Sequence, residues 1–254
     1  MDVNFANRGF TKIIPIQFKD ELKNLQIKIY DLTKNLLEKH DQNLDIQDKL
    51  KLKFKNKPSN DDWSRLMGEI NKSNELKELI NCKPVEDAFK IIFDNPKPFE
   101  ISTFRARFPE QKRVLYNWHQ DEGTWYLSKK KEHLNKFPAT LWLSLNGANK
   151  DESIQLVKYS HKKKLLNHNF VSGQGFFNID KKNEIDENDI FTVETKASEG
   201  VLFHPLTIHR SVPATKINFK PRYTIDIRYY DENFEKKFKV DWKFSVKRIL
   251  KKIF

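Results

Sequence analysis

Seven histidines are spread along the 254 residues, at 40, 119, 133, 161, 168, 204 and 209, and two of them stand in company that could do chemistry. His119 lies in NWHQDEG, with Asp121 two positions on. On a strand, side chains at i and i+2 project from one face, so this spacing predicts that His119 and Asp121 reach one metal ion together while Gln120 points away. His209 follows much further along, after the strand-like EGVLFH and a proline. Two imidazoles and one carboxylate, with the remaining positions of an octahedron left open, are what a non-haem Fe(II) oxygenase requires. A His-x-Asp pair alone turns up by chance, and a lone strand histidine is more often structural, so the reading leans on a further element.

That element is Arg222, which opens RYTIDIRYY. The segment alternates as a strand, placing Arg222, Thr224, Asp226 and Arg228 on one face. A guanidinium is a planar fork that pairs bidentately with a carboxylate, and a hydroxyl two residues on can bond the same group. The distal carboxylate of 2-oxoglutarate could be held this way while its other end chelates iron. An Arg–Asp network on a sheet surface is the plainer alternative.

The elements that would position these groups fall into two regions. Residues 9–18 alternate as an opening strand. From Lys19 to His40, Leu22, Leu25, Ile29, Leu32 and Leu36 recur at helical spacing. A polar stretch over 41–61 reads as loop with a short helical piece. Ser59 or Asn60 then offers an N-cap to a helix carrying Trp63, Leu66 and Ile70, and further helices follow around 73–81 and 85–93. Pro96 and Pro98 close the region. After residue 100 the segments 101–107, 113–119, 139–145, 153–158, 190–195, 200–204 and 222–230 are short and β-branched or aromatic, which predicts an antiparallel sandwich or barrel. The expected organisation is one domain over 1–241, helical over about 19–95 and β over about 100–231. A tail, 242–254 (WKFSVKRILKKIF), would be a basic amphipathic helix that could lie on an anionic membrane or dock on the core or a second subunit.

Composition bounds the function. An apolar fraction of 38% with 20 Phe supports a packed core and excludes a disordered chain. One cysteine, Cys82, excludes a disulfide framework and a multi-cysteine metal site and suits a reducing, cytoplasmic setting. No apolar run is long enough for a membrane span, and MDVNFANRGF lacks the features of a signal peptide. The net charge of +12 comes mostly from lysines spread along the chain, whereas nucleic-acid readers concentrate arginine on one face.

The chain resembles the phytanoyl-CoA dioxygenase (PhyH-like) family of Fe(II)/2-oxoglutarate oxygenases over roughly residues 8–230. The segments that carry the likeness are RARFPE at 105–110, WHQDEGTWYLS at 118–128, TLWLSLNGANKDESIQLVKYSHKK at 140–163, and EGVLFHPLTIHRSVPATKINFKPRYTIDIR at 199–228. The resemblance implies a double-stranded β-helix (a jelly-roll, cupin-like core) with the N-terminal helices packed outside. It implies that His119, Asp121 and His209 bind Fe(II), that Arg222 with Thr224 pairs with 2-oxoglutarate, and that Trp142 lies beside this cosubstrate. It also implies that O2 is consumed and that an unactivated carbon of a small molecule is hydroxylated, with glycan or secondary-metabolite intermediates as the favoured class. A carboxylate at 121 favours hydroxylation or desaturation over halogenation, because halogenating relatives give up this ligand to make room for halide. Arg105, Arg107, Trp125, Tyr126 and Arg228 are candidate substrate contacts, and His161 in YSHKK matches a structural histidine. The chain departs from the family pattern after the distal histidine, with Arg210-Ser211 for Gly-Ser and Ala214 for Asn. Two other readings stand beside this one: a nucleic-acid demethylase of the AlkB type, which the HQD context disfavours, and a non-catalytic jelly-roll binding protein. The oligomeric state is left open.

Overall fold

The computed structural model describes residues 2–38, 41–56, 58–107, 116–123, 136–171, 176–179, 185–212 and 221–233. In chain order these form α1 (Val3–Arg8), β1 (Ile14–Pro15), α2 (Glu21–Thr33), α3 (Ile46–Lys49), α4 (Asn60–Lys72), α5 (Asn74–Asn81) and α6 (Lys83–Lys90). The strands β2 (Pro96–Pro98), β3 (Thr103–Arg107), β4 (Ala139–Ser144), β5 (Ile154–Val157), β6 (His168–Val171) and β7 (Phe176–Ile179) follow. The last are β8 (Ile190–Thr192), β9 (Glu199–Phe203), β10 (His209–Ser211) and β11 (Arg222–Asp231).

Six strands make the main antiparallel sheet, in the order β1-β9-β4-β11-β2, with β3 also paired to β11. β11 is long enough to carry β4 along one side and β3 then β2 in succession along the other. A smaller sheet, β10-β5-β8, faces it, and β6 and β7 form a separate hairpin. Alternation sorts the main sheet's side chains into two layers. Leu141, Leu143, Tyr223, Ile225, Ile227, Phe104 and Leu202 point outward into one apolar cluster with Leu25, Ile29, Trp63, Ile70, Leu79 and Phe89 of the helices. Trp142, Val201 and Phe203 point inward and meet Ile154 and Leu156 of the smaller sheet and Val193 just past β8. Thus the core is a curled jelly roll with helices on its outer face, as expected.

Polar side chains stitch the helical layer down. Gln26 Nε2 donates to the Leu145 carbonyl at 2.7 Å. Asn71 Oδ1 accepts from the Phe104 N–H, and the Tyr229 hydroxyl donates to the Ile80 carbonyl. Helix α4 starts where expected, because Ser59 and Asp62 form a reciprocal capping box.

Several expectations shift. The helix from Lys19 gives way after Thr33, whose hydroxyl bonds back to the Ile29 carbonyl, to a 3₁₀ turn over Lys34–Leu36. The opening strand contracts to Ile14–Pro15 plus a bridge from Phe10 to Phe203, since Pro15 has no N–H to extend a ladder. Pro96 and Pro98 do not simply break the chain: they form an edge strand, where a missing N–H is tolerated. Within 113–119, residues 113–115 lie outside the described residues; of the rest, His119 forms a one-residue bridge with His209, and the Tyr116 and Trp118 carbonyls accept from the Ser211 and Ile179 N–H groups. The tail 242–254 also lies outside the described residues.

Candidate functional site

His119 and His209 face each other across that bridge and exchange both backbone hydrogen bonds, at 3.0 and 2.9 Å. Their rings lie 4.0 Å apart between centroids. Asp121 comes into place differently from the expectation: the chain leaves the bridge at Gln120 and enters a helical turn at 121–123, so the pair does not share a strand face. The Glu122 N–H donates to the Pro205 carbonyl at 3.1 Å and anchors this turn beside the loop that leads to His209. The outcome is nonetheless convergence. Asp121 Oδ1 lies 3.9 Å from His119 Nε2 and 3.7 Å from His209 Nε2, and all three residues are buried. One ligand atom from each lies within 4.8 Å of the others.

Everything around these atoms turns them toward a common point. The Nδ1–H of His119 donates to the Asn117 carbonyl at 2.7 Å and that of His209 to the Thr207 carbonyl at 3.0 Å, which leaves each Nε2 as the lone-pair nitrogen. Burial, reinforced by His209, pushes the His119 pKa well down and keeps its ring neutral, as a ligand must be. Asp121 Oδ2 accepts from the Thr140 hydroxyl at 2.6 Å and from Arg228 at 3.4 Å. Burial alone would raise the Asp121 pKa, but Arg228, the two imidazoles and Thr140 outweigh it and hold the carboxyl well below the usual range. Gln120 turns the other way, donating to the Leu206 carbonyl and accepting from the Leu166 N–H. The His168 ring accepts from the Gln120 N–H at 2.9 Å and fills the space where a Cβ on Gly123 would sit, only 2.3 Å from the ring. Glycine is required there by close approach.

The second part of the site lies on the inner face of the main sheet. Register places Thr224 opposite Ser144, and Arg228 opposite Thr140. On the other side of β11, Arg222 lies opposite Arg107 and Thr224 opposite Arg105. Arg222 is 5% exposed, donates to the Glu152 carbonyl through Nη1, and lies over Trp142 at 5.4 Å from the ring centroid. Burial, and after it the neighbouring Arg107, pushes its pKa down to about 9, so the charge is costly where it stands. Arg222 Nε, Thr224 Oγ1 and Ser144 Oγ are buried and bond to no atom of the described residues. A planar cation beside two unpartnered hydroxyls is the donor set that a carboxylate satisfies. By the same test, two imidazoles that present their Nε2 atoms and an ionised carboxylate fit a divalent metal with open positions.

The remaining candidates take distinct places. Arg228 bonds the Ile101 carbonyl as well as Asp121 and lies 3.8 Å from Asp226, so it supports the metal carboxylate. Arg107 bonds the carbonyls of Glu152, Ser153 and Val212. Arg105 pairs with Asp226 at 2.5 Å and bonds the Tyr116 hydroxyl. Trp125, Tyr126 and Ala214 lie outside the described residues. His161 is tied to the Ala6 carbonyl, a structural role as expected. Arg210 points away from the metal side: it stacks on Trp118 at 4.3 Å and bonds Gln155, bordering an outer cleft of about 270 Å³. Thr140, Ser144, Tyr116 and His168 were not singled out by sequence. Thr140 and Ser144 flank Trp142 in strict alternation, but only register across strands reveals their partners.

The family model described as phytanoyl-CoA dioxygenase (PhyH) matches residues 15–216. No curated protein sequence matches the chain significantly. Among solved structures, the apo non-haem monooxygenase ThoJ superposes with a TM-score of 0.61 at 14% identity, covering 90% of this chain and 76% of that one. SnoK, a non-haem α-ketoglutarate-dependent carbocyclase from nogalamycin biosynthesis, gives 0.55 at 15% identity, covering 90% and 81%. EvdO2 of Micromonospora carbonacea var. aurantiaca, complexed with 2-oxoglutarate, gives 0.52 at 13% identity, covering 90% and 88%. At these identities the likeness is one of fold.

Proposed function

Because the chain belongs to the phytanoyl-CoA dioxygenase family of non-haem, 2-oxoglutarate-dependent oxygenases, we propose that it hydroxylates an unactivated carbon of a small molecule, with a glycan or secondary-metabolite intermediate as the favoured class. The observation that carries this reading is the convergence of His119 Nε2, His209 Nε2 and Asp121 Oδ1 beside a buried Arg222–Thr224–Ser144 patch in which Arg222 Nε and the two hydroxyls bond to no atom of the described residues. His119, Asp121 and His209 would hold Fe(II). Arg222, with the Thr224 and Ser144 hydroxyls, would hold the distal carboxylate of 2-oxoglutarate, with Trp142 against the guanidinium. Bound there, iron and 2-oxoglutarate supply the oxidising chemistry, consuming O2 and yielding succinate and carbon dioxide.

The protein's own contribution is arrangement. The carbonyls of Asn117 and Thr207 fix the two imidazole tautomers. Thr140 and Arg228 occupy one oxygen of Asp121, so that the other alone is offered to the metal. The apolar layer of Trp142, Val201, Phe203 and Leu156 keeps water from the floor of the site. A cytoplasmic setting, argued from the single cysteine, belongs to the same proposal. We expect Asp121→Ala to abolish iron-dependent conversion of 2-oxoglutarate to succinate; retained turnover would overturn the ligand assignment.

A further inference from the structure

Four arginines crowd the inner face of the main sheet. Arg105, Arg107, Arg222 and Arg228 all project onto it from β3 and β11, and among the described residues the carboxylates in ion-pair contact with them are Asp121 and Asp226. Glu152 gives its main-chain carbonyl to Arg107 and Arg222, and its carboxylate also acts on both guanidinium groups through space. A carbonyl satisfies an N–H without cancelling the charge behind it. Iron(II) and dianionic 2-oxoglutarate would neutralise each other, so loading the site leaves the charge balance among these side chains as it is.

Of the four arginines, Arg105 alone opens onto solvent-reached space. Its side chain is 25% exposed, whereas Arg107, Arg222 and Arg228 are each about 5% exposed as residues. Its fork is pinned from two sides: Nε on Asp226 at 2.5 Å, and Nη1 on the Tyr116 hydroxyl with the guanidinium 4.5 Å from that ring's centroid. Nη2 bonds to no atom of the described residues. The Tyr116 ring lies 6.1 Å from the His119 ring, and Asp226 is linked through Arg228 to Asp121, so this open donor borders the metal centre. A cation held rigidly, with one edge left open, is pre-organised for an oxyanion.

We propose that the substrate carries an oxyanion, a carboxylate or a phosphate, that is received by Nη2 of Arg105 beside the metal centre. This deepens the oxygenase reading above and rests on it. The test uses the full-length protein loaded with redox-inert manganese(II) and saturating 2-oxoglutarate, and follows its melting temperature with inorganic phosphate or acetate against sodium chloride of equal ionic strength. Each anion that binds is expected to raise the melting temperature further, saturably and without displacing 2-oxoglutarate. Phosphate alone would mark a phosphoryl group; acetate, a carboxylate.

The double variant Arg105→Gln/Asp226→Asn removes both halves of this ion pair at constant net charge, and Arg228 keeps Asp121 as its partner; it should weaken the anion effect at least tenfold. Arg105→Lys, which keeps the charge without the fork, should fall between, and circular dichroism reports whether each variant is folded. An anion that only competes with 2-oxoglutarate, an effect undiminished in the double variant, or no saturable effect in the loaded protein would overturn the proposal. If 2-oxoglutarate itself leaves the manganese-loaded protein unaffected, the oxygenase reading fails and takes this proposal with it. A 2-oxoglutarate effect without an anion effect defeats this proposal alone.

Discussion

At the scale of single residues, the informative atom is Asp121 Oδ2. With Thr140 at 2.6 Å and Arg228 at 3.4 Å, that oxygen is committed, and only Oδ1 is presented to the two imidazoles. Groups that orient a metal ligand are commonly worth about 10–100-fold in metal affinity. Thr140→Val keeps the shape of the side chain and removes the donor, so metal titration should show a loss within that range; unchanged affinity would mean that Arg228 suffices. Arg222 supports a second prediction. A hydrogen bond to a charged group contributes about 1.5–3 kcal/mol, so Arg222→Leu should raise the dissociation constant for 2-oxoglutarate about 10–100-fold. Arg222→Lys should recover only part of it, because an ammonium lacks the fork. The same substitutions should leave metal affinity in the absence of 2-oxoglutarate near the native value, since neither touches the ligands.

At the scale of elements, the pairing of β4 with β9 supports the whole inner face. Gly200 lies opposite Leu143, and a Cβ there would stand 2.7 Å from the Trp142 carbonyl oxygen and 2.9 Å from Leu141 Cδ1. The oxygen is main chain in the middle of a sheet and cannot move aside cheaply. Gly200→Ala should therefore destabilise the protein by about 1–3 kcal/mol, the usual cost of overpacking, as read from the urea midpoint. Elements also differ in how far local sequence reveals them. β11 is unmistakable because Tyr223, Ile225 and Ile227 alternate with polar residues and both faces have a strong reason to be where they are. β2 is not, because Pro-Lys-Pro reads as a breaker until a neighbouring strand end is known to be free for it. The β6–β7 hairpin and α1 were likewise not anticipated: four-residue strands and a six-residue helix carry too few periods for a pattern to emerge.

At the scale of the whole molecule, ligands and protons act on the folding equilibrium. Manganese(II) with 2-oxoglutarate at a hundredfold over its dissociation constant should stabilise the fold by about 2.7 kcal/mol, a rise of about 5–10 °C in melting temperature. Asp121→Ala should erase the manganese-dependent part. His204 lies among Phe5, Phe137 and His161, and its Nδ1 accepts from the Leu206 N–H. Burial, with His161 adding, pushes its pKa down to about 3. The unfolded chain, with an ordinary histidine near 6.5, binds more protons below that pH, so stability falls as pH drops from about 6.5 toward 3 and is unaffected above. His204→Gln should reduce the stability lost between pH 7.5 and 5 by about 1 kcal/mol, the ideal figure being cut by the residue's partial contact with water. Parallel urea titrations at the two pH values check this.

What the sequence determined by itself was the chemistry available: His119, Asp121, His209 and Arg222 are recognisable because their types and order are local properties of short segments, and the helical and β periods around them are local too. What the tertiary structure decided was how those groups meet. It replaced a shared strand face with a bridge followed by a helical turn, and it brought Thr140 and Arg228 to Asp121 and Tyr116 and Asp226 to Arg105. Those pairings depend on cross-strand register and on two sheets closing face to face, and register is set by the burial of both faces of the main sheet at once. No window along the chain contains that condition, because the residues that satisfy it are joined only when the core forms.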